Sequence, residues 1–122
     1  MAFKFENLKI WQLALQLSGK VSVMVKQYPK DELFILTSQI KRAVVSIASN
    51  IAEGAGRNTN GEFIQFLGIA NGSSFELTTQ LIITAELGLV KQDQVSTILK
   101  ELDEIQKMIY AFMNNLSNKK YS

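Results

Sequence analysis

Residues 39–57 read QIKRAVVSIASNIAEGAGR, and this stretch decides the fold of the chain. Wound as a helix at about 100° per residue, it separates into two faces. One face carries short hydrogen-bonding side chains with a single Arg and a single Glu: Gln39, Arg42, Ser46, Ser49, Asn50 and Glu53. The other face is apolar: Ile40, Ala43, Val44, Ile47 and Ile51. Because solvated helix faces mainly carry Lys and Glu, the polar face indicates a half-buried surface that pairs specifically with another.

The composition is that of one globular domain. A chain of 122 residues, with 47% hydrophobic and 20% charged residues, has enough apolar content to fold rather than remain disordered. The formal net charge of +2 is small for a dedicated nucleic-acid binder, although it leaves room for a local basic patch. The chain has no Cys and no His. Disulfides, thiolate nucleophiles, the usual zinc sites and Ser-His-Asp triads are therefore excluded.

Turn signals divide the chain into four segments with helical periodicity and short links. We predict helices over residues 8–28, 31–54, 61–87 and 92–116, followed by a frayed tail over residues 117–122. Four helices of similar length predict an all-α fold, an antiparallel up-down-up-down four-helix bundle that forms a single domain over residues 1–122. No apolar signal core and no run of about 18 apolar residues occurs, so a cytoplasmic protein without a membrane span is expected.

Several residues mark the expected helix ends. Asn7 is predicted to cap the first helix, and Pro29 ends it because the residue before a proline avoids the α region. Asp31 and Glu32 suit the positive end of the second helix. The other signals are Gly54-Ala55-Gly56 as a C-cap, Thr59 or Asn58 as the N-cap of the third helix, and Gly88 at its end.

The predicted helices carry more apolar surface than one core requires. The apolar arc of the first helix spans roughly 200°, which places that helix either deep in the bundle or against another subunit. From Phe63 to Leu89 only Glu76 and Glu86 are charged, which is too few for a fully solvated face. Gly68 and Gly72 lie four residues apart on one side of the third helix, and we expect a neighbouring backbone to approach them closely. The third helix also has a polar stripe: Glu62, Gln65, Ser73, Glu76 and Gln80.

The chain resembles the four-helix-bundle family of intervening-sequence proteins over nearly its whole length. The similarity lies in IWQ at 10–12, SNIAEG at 49–54 within the stretch quoted first, FIQFL at 63–67, and GS at 72–73. These are bacterial proteins, some of them encoded inside insertions in large-subunit ribosomal RNA genes. The resemblance implies a ring-shaped homopentamer of antiparallel bundles. Ala48 stands where the family often has Pro, and Asn71 stands where a basic residue is common.

The chain is also similar to the accessory protein of diversity-generating retroelements, a pentameric bundle that works with a reverse transcriptase and nucleic acid. Our first hypothesis is therefore a non-catalytic homo-oligomer that contacts structured RNA or a nucleoprotein. A basic collar would make the phosphate contacts: Lys41, Arg42, Arg57, Lys119 and Lys120. In the alternative interpretation, Arg42 is an internal partner of Glu53 or Glu76.

A second hypothesis is a structural or adaptor protein that binds another protein and has no nucleic-acid role. Its polar residues would then fix subunit register: Gln39, Ser46, Ser49, Asn50, Glu53, Gln65, Ser73 and Glu76. A third hypothesis, a carboxylate metal enzyme using Glu53, Glu62 and Glu76, lacks the His that such helical sites normally contain. We therefore expect no catalytic residue, metal, cofactor or small-molecule substrate.

Overall fold

The computed structural model describes residues 4–29 and 34–118. Within these ranges the chain forms one 3₁₀ turn at Phe5–Asn7 and no strand. Its α-helices are α1 (Lys9–Val25), α2 (Phe34–Ala55), α3 (Asn60–Glu86) and α4 (Gln92–Ser117). The all-α fold and the four predicted helices are confirmed. The predicted start of the second helix at residue 31 and the tail residues 119–122 lie outside the described residues.

The four helices enclose one apolar core. α2 packs on α1 and α3, α4 also packs on α1 and α3, and no close approach of α1 to α3 occurs in the described helices. The apolar face predicted for the second helix is fully buried, with Ile40, Ile47 and Ile51 at 0% exposure. Each such side chain contributes about 1.5–3 kcal/mol relative to an exposed position. The register of apolar residues along α2 therefore decides which side of this helix meets the core.

The ends of α3 are capped as the sequence predicts. At the start, the Oγ1 of Thr59 accepts the backbone N–H of Glu62 at 3.1 Å. At the end, Gly88 adopts a φ of 66°, and the N–H of Leu89 donates to the carbonyl of Thr84 at 3.3 Å. This pattern is a Schellman motif, in which a left-handed residue reverses the chain and satisfies the last carbonyls.

The cap predicted for the first helix is wrong. Asn7 belongs to the 3₁₀ turn, and the N-cap position of α1 is Leu8, which has no side-chain capping bond. The helix also ends at Val25, three residues before the predicted end at Tyr28. A turn follows, in which the N–H of Tyr28 donates to the carbonyl of Val25 at 3.1 Å. This turn brings the tyrosine side chain into the core, where it is 4% exposed.

Gly54 has a different role from the one that the sequence suggests. Among the described residues only Gly88 has a positive φ, so Gly54 is not a left-handed cap. It is buried inside the last turn of α2. A Cβ atom here would lie 2.8 Å from Cδ1 of Phe63 and 2.8 Å from Cβ of Phe66. Glycine is therefore required because the start of α3 passes directly over this point.

The expected close approach at the two glycines inside α3 is not found among residues 4–29 and 34–118 of the protomer. A Cβ atom at Gly72 would meet nothing within 4 Å, and one at Gly68 would meet only Cε of Met113 at 3.8 Å. Gly72 is exposed. An interior glycine destabilises a helix by about 1 kcal/mol relative to alanine. No contact with another described helix offsets this effect at Gly72.

We predict that Gly54→Ala lowers the free energy of unfolding by about 1–3 kcal/mol, because the added methyl group overpacks the α2–α3 contact. Gly19→Ala is the matched control, since it adds a methyl group to α1 where no atom lies within 4 Å. This control should raise stability by about 0.5–1 kcal/mol. Urea unfolding at one fixed protein concentration measures both variants. Equal effects at the two glycines would contradict this explanation.

A buried polar chain fixes the turn after α1. The hydroxyls of Tyr28 and Thr84 lie 2.7 Å apart, and Thr84 donates to the carbonyl of Gln80 at 3.0 Å. Since Thr84 uses its only hydrogen on that carbonyl, the tyrosine hydroxyl donates to Thr84. Burial raises the pKa of Tyr28 above its ordinary value, because the charged phenolate would lose its hydration in the core.

We predict that Tyr28→Phe costs about 1 kcal/mol at pH 7 because it removes one buried hydrogen bond. It should also change the alkaline limb of the stability curve. The raised pKa means that folded Tyr28 keeps its proton longer than unfolded Tyr28. Its contribution is therefore complete below pH ~10 and is lost as the pH rises through the folded pKa. Urea unfolding between pH 7 and 11 should show a shallower alkaline decline for the variant, and parallel declines would contradict it.

Candidate functional site

A polar cleft lies between α2 and α3. Its volume is about 680 Å³. Its lining unites many of the residues singled out from the sequence: Gln39, Lys41, Arg42, Ala43, Val45, Ser46, Ser73 and Glu76. The predicted polar faces of the second and third helices thus meet each other along this cleft.

A hydrogen-bond network forms the floor of the cleft. The hydroxyls of Ser46 and Ser73 lie 2.8 Å apart and join α2 to α3. One turn further along α2, Nδ2 of Asn50 donates to the carbonyl of Ser46 at 2.8 Å and to its hydroxyl at 2.9 Å. All three side chains are partly buried. Within one protomer, therefore, these groups already hold the two helices together.

Arg42 is one of two cations that line the cleft, the other being Lys41. It is exposed, and among the described residues no carboxylate lies within 4.0 Å of its guanidinium. The alternative that pairs Arg42 with Glu53 or Glu76 is therefore wrong for the described part of the chain. Glu76 lines the same cleft without reaching it. Arg42 and its neighbour Lys41 keep their charges available to an anionic ligand.

The other basic candidates lie elsewhere. Arg57 approaches Glu53 at 3.6 Å, and its guanidinium carbon lies 4.7 Å from the ring centroid of Phe66. At 1.5 Å per residue, it is about 20 Å from Arg42 along α2. Nδ2 of Asn60 donates to the carbonyl of Leu116 at 3.4 Å, which places the end of α4 beside the start of α3. Lys119 and Lys120, which follow, lie outside the described residues, so the expected collar is not one patch in the described structure.

The remaining polar candidates fall into two groups. Ser49 and Gln65 are exposed on α2 and α3, as is Gln39 at the cleft. Gln80, assigned to the polar stripe from the sequence, is instead 5% exposed, and its Oε1 has no hydrogen-bond partner among the described residues.

Sequence reasoning also missed two buried hydroxyl residues of α3, Ser74 and Thr84. Ser74 donates to the carbonyl of Asn71 at 2.6 Å. A signal for such positions exists, because Ser and Thr can bond back to the carbonyl three or four residues earlier and so enter a core.

The acidic residues do not form a metal site within the described ranges. No group of three or more His, Cys, Asp or Glu side chains is placed there to hold an ion. Glu62 instead accepts a hydrogen bond from the hydroxyl of Thr59 at 3.2 Å. In the same ranges, no helix has the length and apolar content that crossing a membrane requires.

Large apolar side chains remain uncovered on α1, α2 and α3. The first helix buries one side in the core, yet Leu15 is 50% exposed, and Val45 beside it on α2 is 56% exposed. On α3, the exposed fractions are 57% for Phe75 and 49% for both Ile69 and Ile82. Isolated exposed leucines are ordinary, whereas clusters of this kind mark binding surfaces.

The family model of the 23S rRNA-intervening sequence protein matches residues 6–111, which is most of the chain. The chain belongs to this family. A crystal structure from Bacteroides thetaiotaomicron, described as a protein of unknown function from the S23 ribosomal protein family, superimposes with a TM-score of 0.80. The two share 22% sequence identity over 85% of this chain and 97% of that chain, so the likeness shows the fold alone. No curated protein matches the chain.

For this member of the 23S rRNA-intervening sequence family, we predict that Ser46→Ala lowers the free energy of unfolding by about 1 kcal/mol. The change deprives both Ser73 and Asn50 of a partner at a half-buried position. Ser49→Ala, one turn away on the exposed face, is the control and should stay within about 0.5 kcal/mol of the wild type. Urea unfolding compares them, and both variants should sediment like the wild type. A loss of assembly in Ser46→Ala alone would argue for register between subunits.

Proposed function

We propose that this protein is a non-catalytic homo-oligomer, with five copies in a ring, that contacts structured RNA or a nucleoprotein partner in the cytoplasm. The observation that carries the proposal is the uncovered apolar surface. Eleven large apolar side chains of the described residues are at least 41% exposed. Such an excess on a protein with a complete core is best explained by further copies that cover it.

Antiparallel packing of neighbouring helices is part of this proposal. Ser46 in the middle of α2 contacts Ser73 in the middle of α3. Gly54 at the end of α2, in turn, lies against Phe63 near the start of α3. Opposite directions of the two helices account for both contacts, and short links favour the same relation for the other neighbours.

The nucleic-acid part of the proposal is supported by the family and by the cleft. The name of the family refers to 23S ribosomal RNA. In the cleft, Arg42 and Lys41 are exposed cations, and Ser46 and Ser73 supply hydroxyls. Phosphate oxygens bind such combinations of guanidinium, ammonium and hydroxyl groups. In a ring, the cleft would be repeated in every copy, so that modest phosphate contacts would add up.

An adaptor that binds only protein is the second candidate. The small net charge of +2 and the engagement of Arg57 with Glu53 and Phe66 favour it. Under this alternative the cleft binds an acidic segment of a partner protein, and the same uncovered apolar surface serves assembly.

We predict that Arg42→Gln weakens binding to structured RNA and makes it less dependent on salt. Losing one phosphate contact should reduce the slope of log affinity against log salt by about 0.7–0.9. Filter binding from low to physiological salt measures the slope. Lys107→Gln is the control because Lys107 is paired with Asp103 at 3.0 Å on the solvated side of α4, so its slope should equal that of the wild type.

The outcomes separate the two candidates. RNA binding that remains undetectable at low salt, by an assembly of normal mass, would eliminate the nucleic-acid part and leave the adaptor. A wild-type protein that stays monomeric at all concentrations would eliminate the proposal as a whole.

A further inference from the structure

Two apolar surfaces lie on different sides of the protomer. The first, which we name the α3 face, consists of Ile69, Phe75, Ile82 and Ile83 of α3 together with Tyr110 of α4. The second, which we name the α1/α2 groove, is a hollow of about 300 Å³ between these two helices. Its apolar lining consists of Trp11, Leu15, Val45, Ala48 and Ala52.

The contacts of α3 define where the α3 face points. One flank of this helix meets α2 through Ser73. The other flank meets α4, where Thr78 accepts a hydrogen bond from Gln106 at 3.2 Å. At 100° per residue, Phe75 and Ile82 fall between these flanks, on the outward side nearer α4. Since α1 contacts α2 and α4 but not α3 among the described helices, the α1/α2 groove opens on a different side of the molecule.

Most of the charged residues beside the groove are opposite in sign to those beside the α3 face. In residues 9–29 and 34–52, which include the groove, every charged residue is basic; the acidic residues next to these ranges are Glu6 and Glu53, of which Glu53 approaches Arg57 at 3.6 Å. In residues 63–86, which include most of the α3 face, every charged residue is acidic. Lys41 lies one turn before Val45 on the outward ridge of α2, and Glu76 lies beside Phe75 on α3. Two α3 faces brought together would therefore oppose like charges, whereas an α3 face against a groove opposes unlike ones.

The size of the α3 face suits a stable interface. Its five members are between 41% and 61% exposed. At about 180 Å² for a fully exposed large apolar residue, they offer roughly 450 Å² of side-chain surface. A standard interface takes about 800 Å² from each partner, of which about 60% is apolar. The α3 face thus supplies nearly the whole apolar part of one side.

The shapes of the surfaces are complementary as well. Small side chains at Ala48 and Ala52 leave the groove deep enough to receive an aromatic ring, and Trp11 is held at its end by the ring of Phe5, with centroids 5.1 Å apart. On the α3 face, Phe75 projects and Gly72 leaves a flat place where a neighbouring helix can approach. A projecting aromatic residue that enters a pocket is the usual anchor of an interface.

We propose that the α3 face of one copy packs into the α1/α2 groove of the next copy. This inference rests on the proposed homo-oligomer and adds to it which surfaces meet. Because the two surfaces differ, the contact is head-to-tail, and repetition of it closes a ring or extends a filament but never stops at two copies. The close approach expected at Gly72 from the sequence is then supplied by the neighbouring copy.

The test uses two double variants of the full chain. The groove variant is Leu15→Glu with Val45→Glu, and the α3-face variant is Phe75→Glu with Ile82→Glu. All four positions are exposed in the protomer, so circular dichroism should show unchanged helix content. Each variant alone should have the monomer mass of 13.7 kDa in light scattering, with self-association at least 100-fold weaker than in the wild type. An equimolar mixture should contain a dimer, because each variant retains the surface that the other has lost.

Other results would overturn the inference. A groove variant that keeps the wild-type mass would mean that α3 faces meet each other or that the groove is unused. A mixture that stays monomeric would mean that the two surfaces are not partners. Ser96→Glu with Lys100→Glu, on the solvated side of α4, is the matched control and should keep the wild-type mass.

A second variant covers the case in which a charged pair disturbs folding. Gly72→Leu adds a side chain where the protomer leaves open space, so it should fold normally and still lose assembly. Normal assembly of Gly72→Leu would contradict the proposed contact. In every comparison with a variant, the wild type must have a mass larger than that of a monomer. A monomeric wild type refutes the proposed homo-oligomer itself, whereas an oligomeric wild type with unaffected variants refutes only the pairing of these surfaces.

Discussion

At its C-terminal end, α2 comes so close to α3 that no side-chain carbon fits at Gly54 between the two helices. The contact brings the ring of Phe63 and the Cβ of Phe66 against the last turn of α2 and determines the register of the two helices. From this register it follows that Ser46 meets Ser73 further along. The polar cleft exists because these two helices are tightly joined at one end and lined with small polar side chains in the middle. Its exposed cations, Lys41 and Arg42, are placed at its rim by the same register.

The second constraint is the unequal solvation of the four helices. α4 has one side in the core and one side with charged residues, such as Asp103 and Lys107, which are paired at 3.0 Å. α3 has no comparable charged side, because its exposed positions include Ile69, Phe75, Ile82 and Ile83, and residues 63–86 contain only two charged residues, Glu76 and Glu86. Transfer of such apolar area out of water is worth about 25 cal/mol per Å², so an uncovered face of this size is a source of association free energy. The same molecule therefore has a well-buried apolar core and, on its outside, large exposed apolar side chains.

Several polar side chains of this fold form hydrogen bonds within the protomer. The network of Asn50, Ser46 and Ser73 satisfies its own hydrogen bonds, as does the pair of Tyr28 and Thr84. Within the described part of the chain, Gln80 is the exception, since its buried Oε1 has no hydrogen-bond partner there. The groups that remain for the proposed contacts are the cations of the cleft, the one hydroxyl hydrogen that the Ser46–Ser73 pair does not use, and the exposed apolar side chains of α1, α2 and α3.

By itself, the sequence determined the elements of this protein. Apolar periodicity predicts which side of α2 and α4 is buried, and local chemistry predicts the caps at Thr59 and Gly88, because these signals act within a few residues. Only the tertiary structure decided what depends on distance across the chain. It assigned Gly54 to a close approach rather than a cap, buried Gln80 and Thr84, separated Arg57 from Arg42, and left Gly72 open. The physical reason is that a helical pattern specifies the direction of a side chain relative to its own axis, whereas the neighbour it meets depends on how the helices pack.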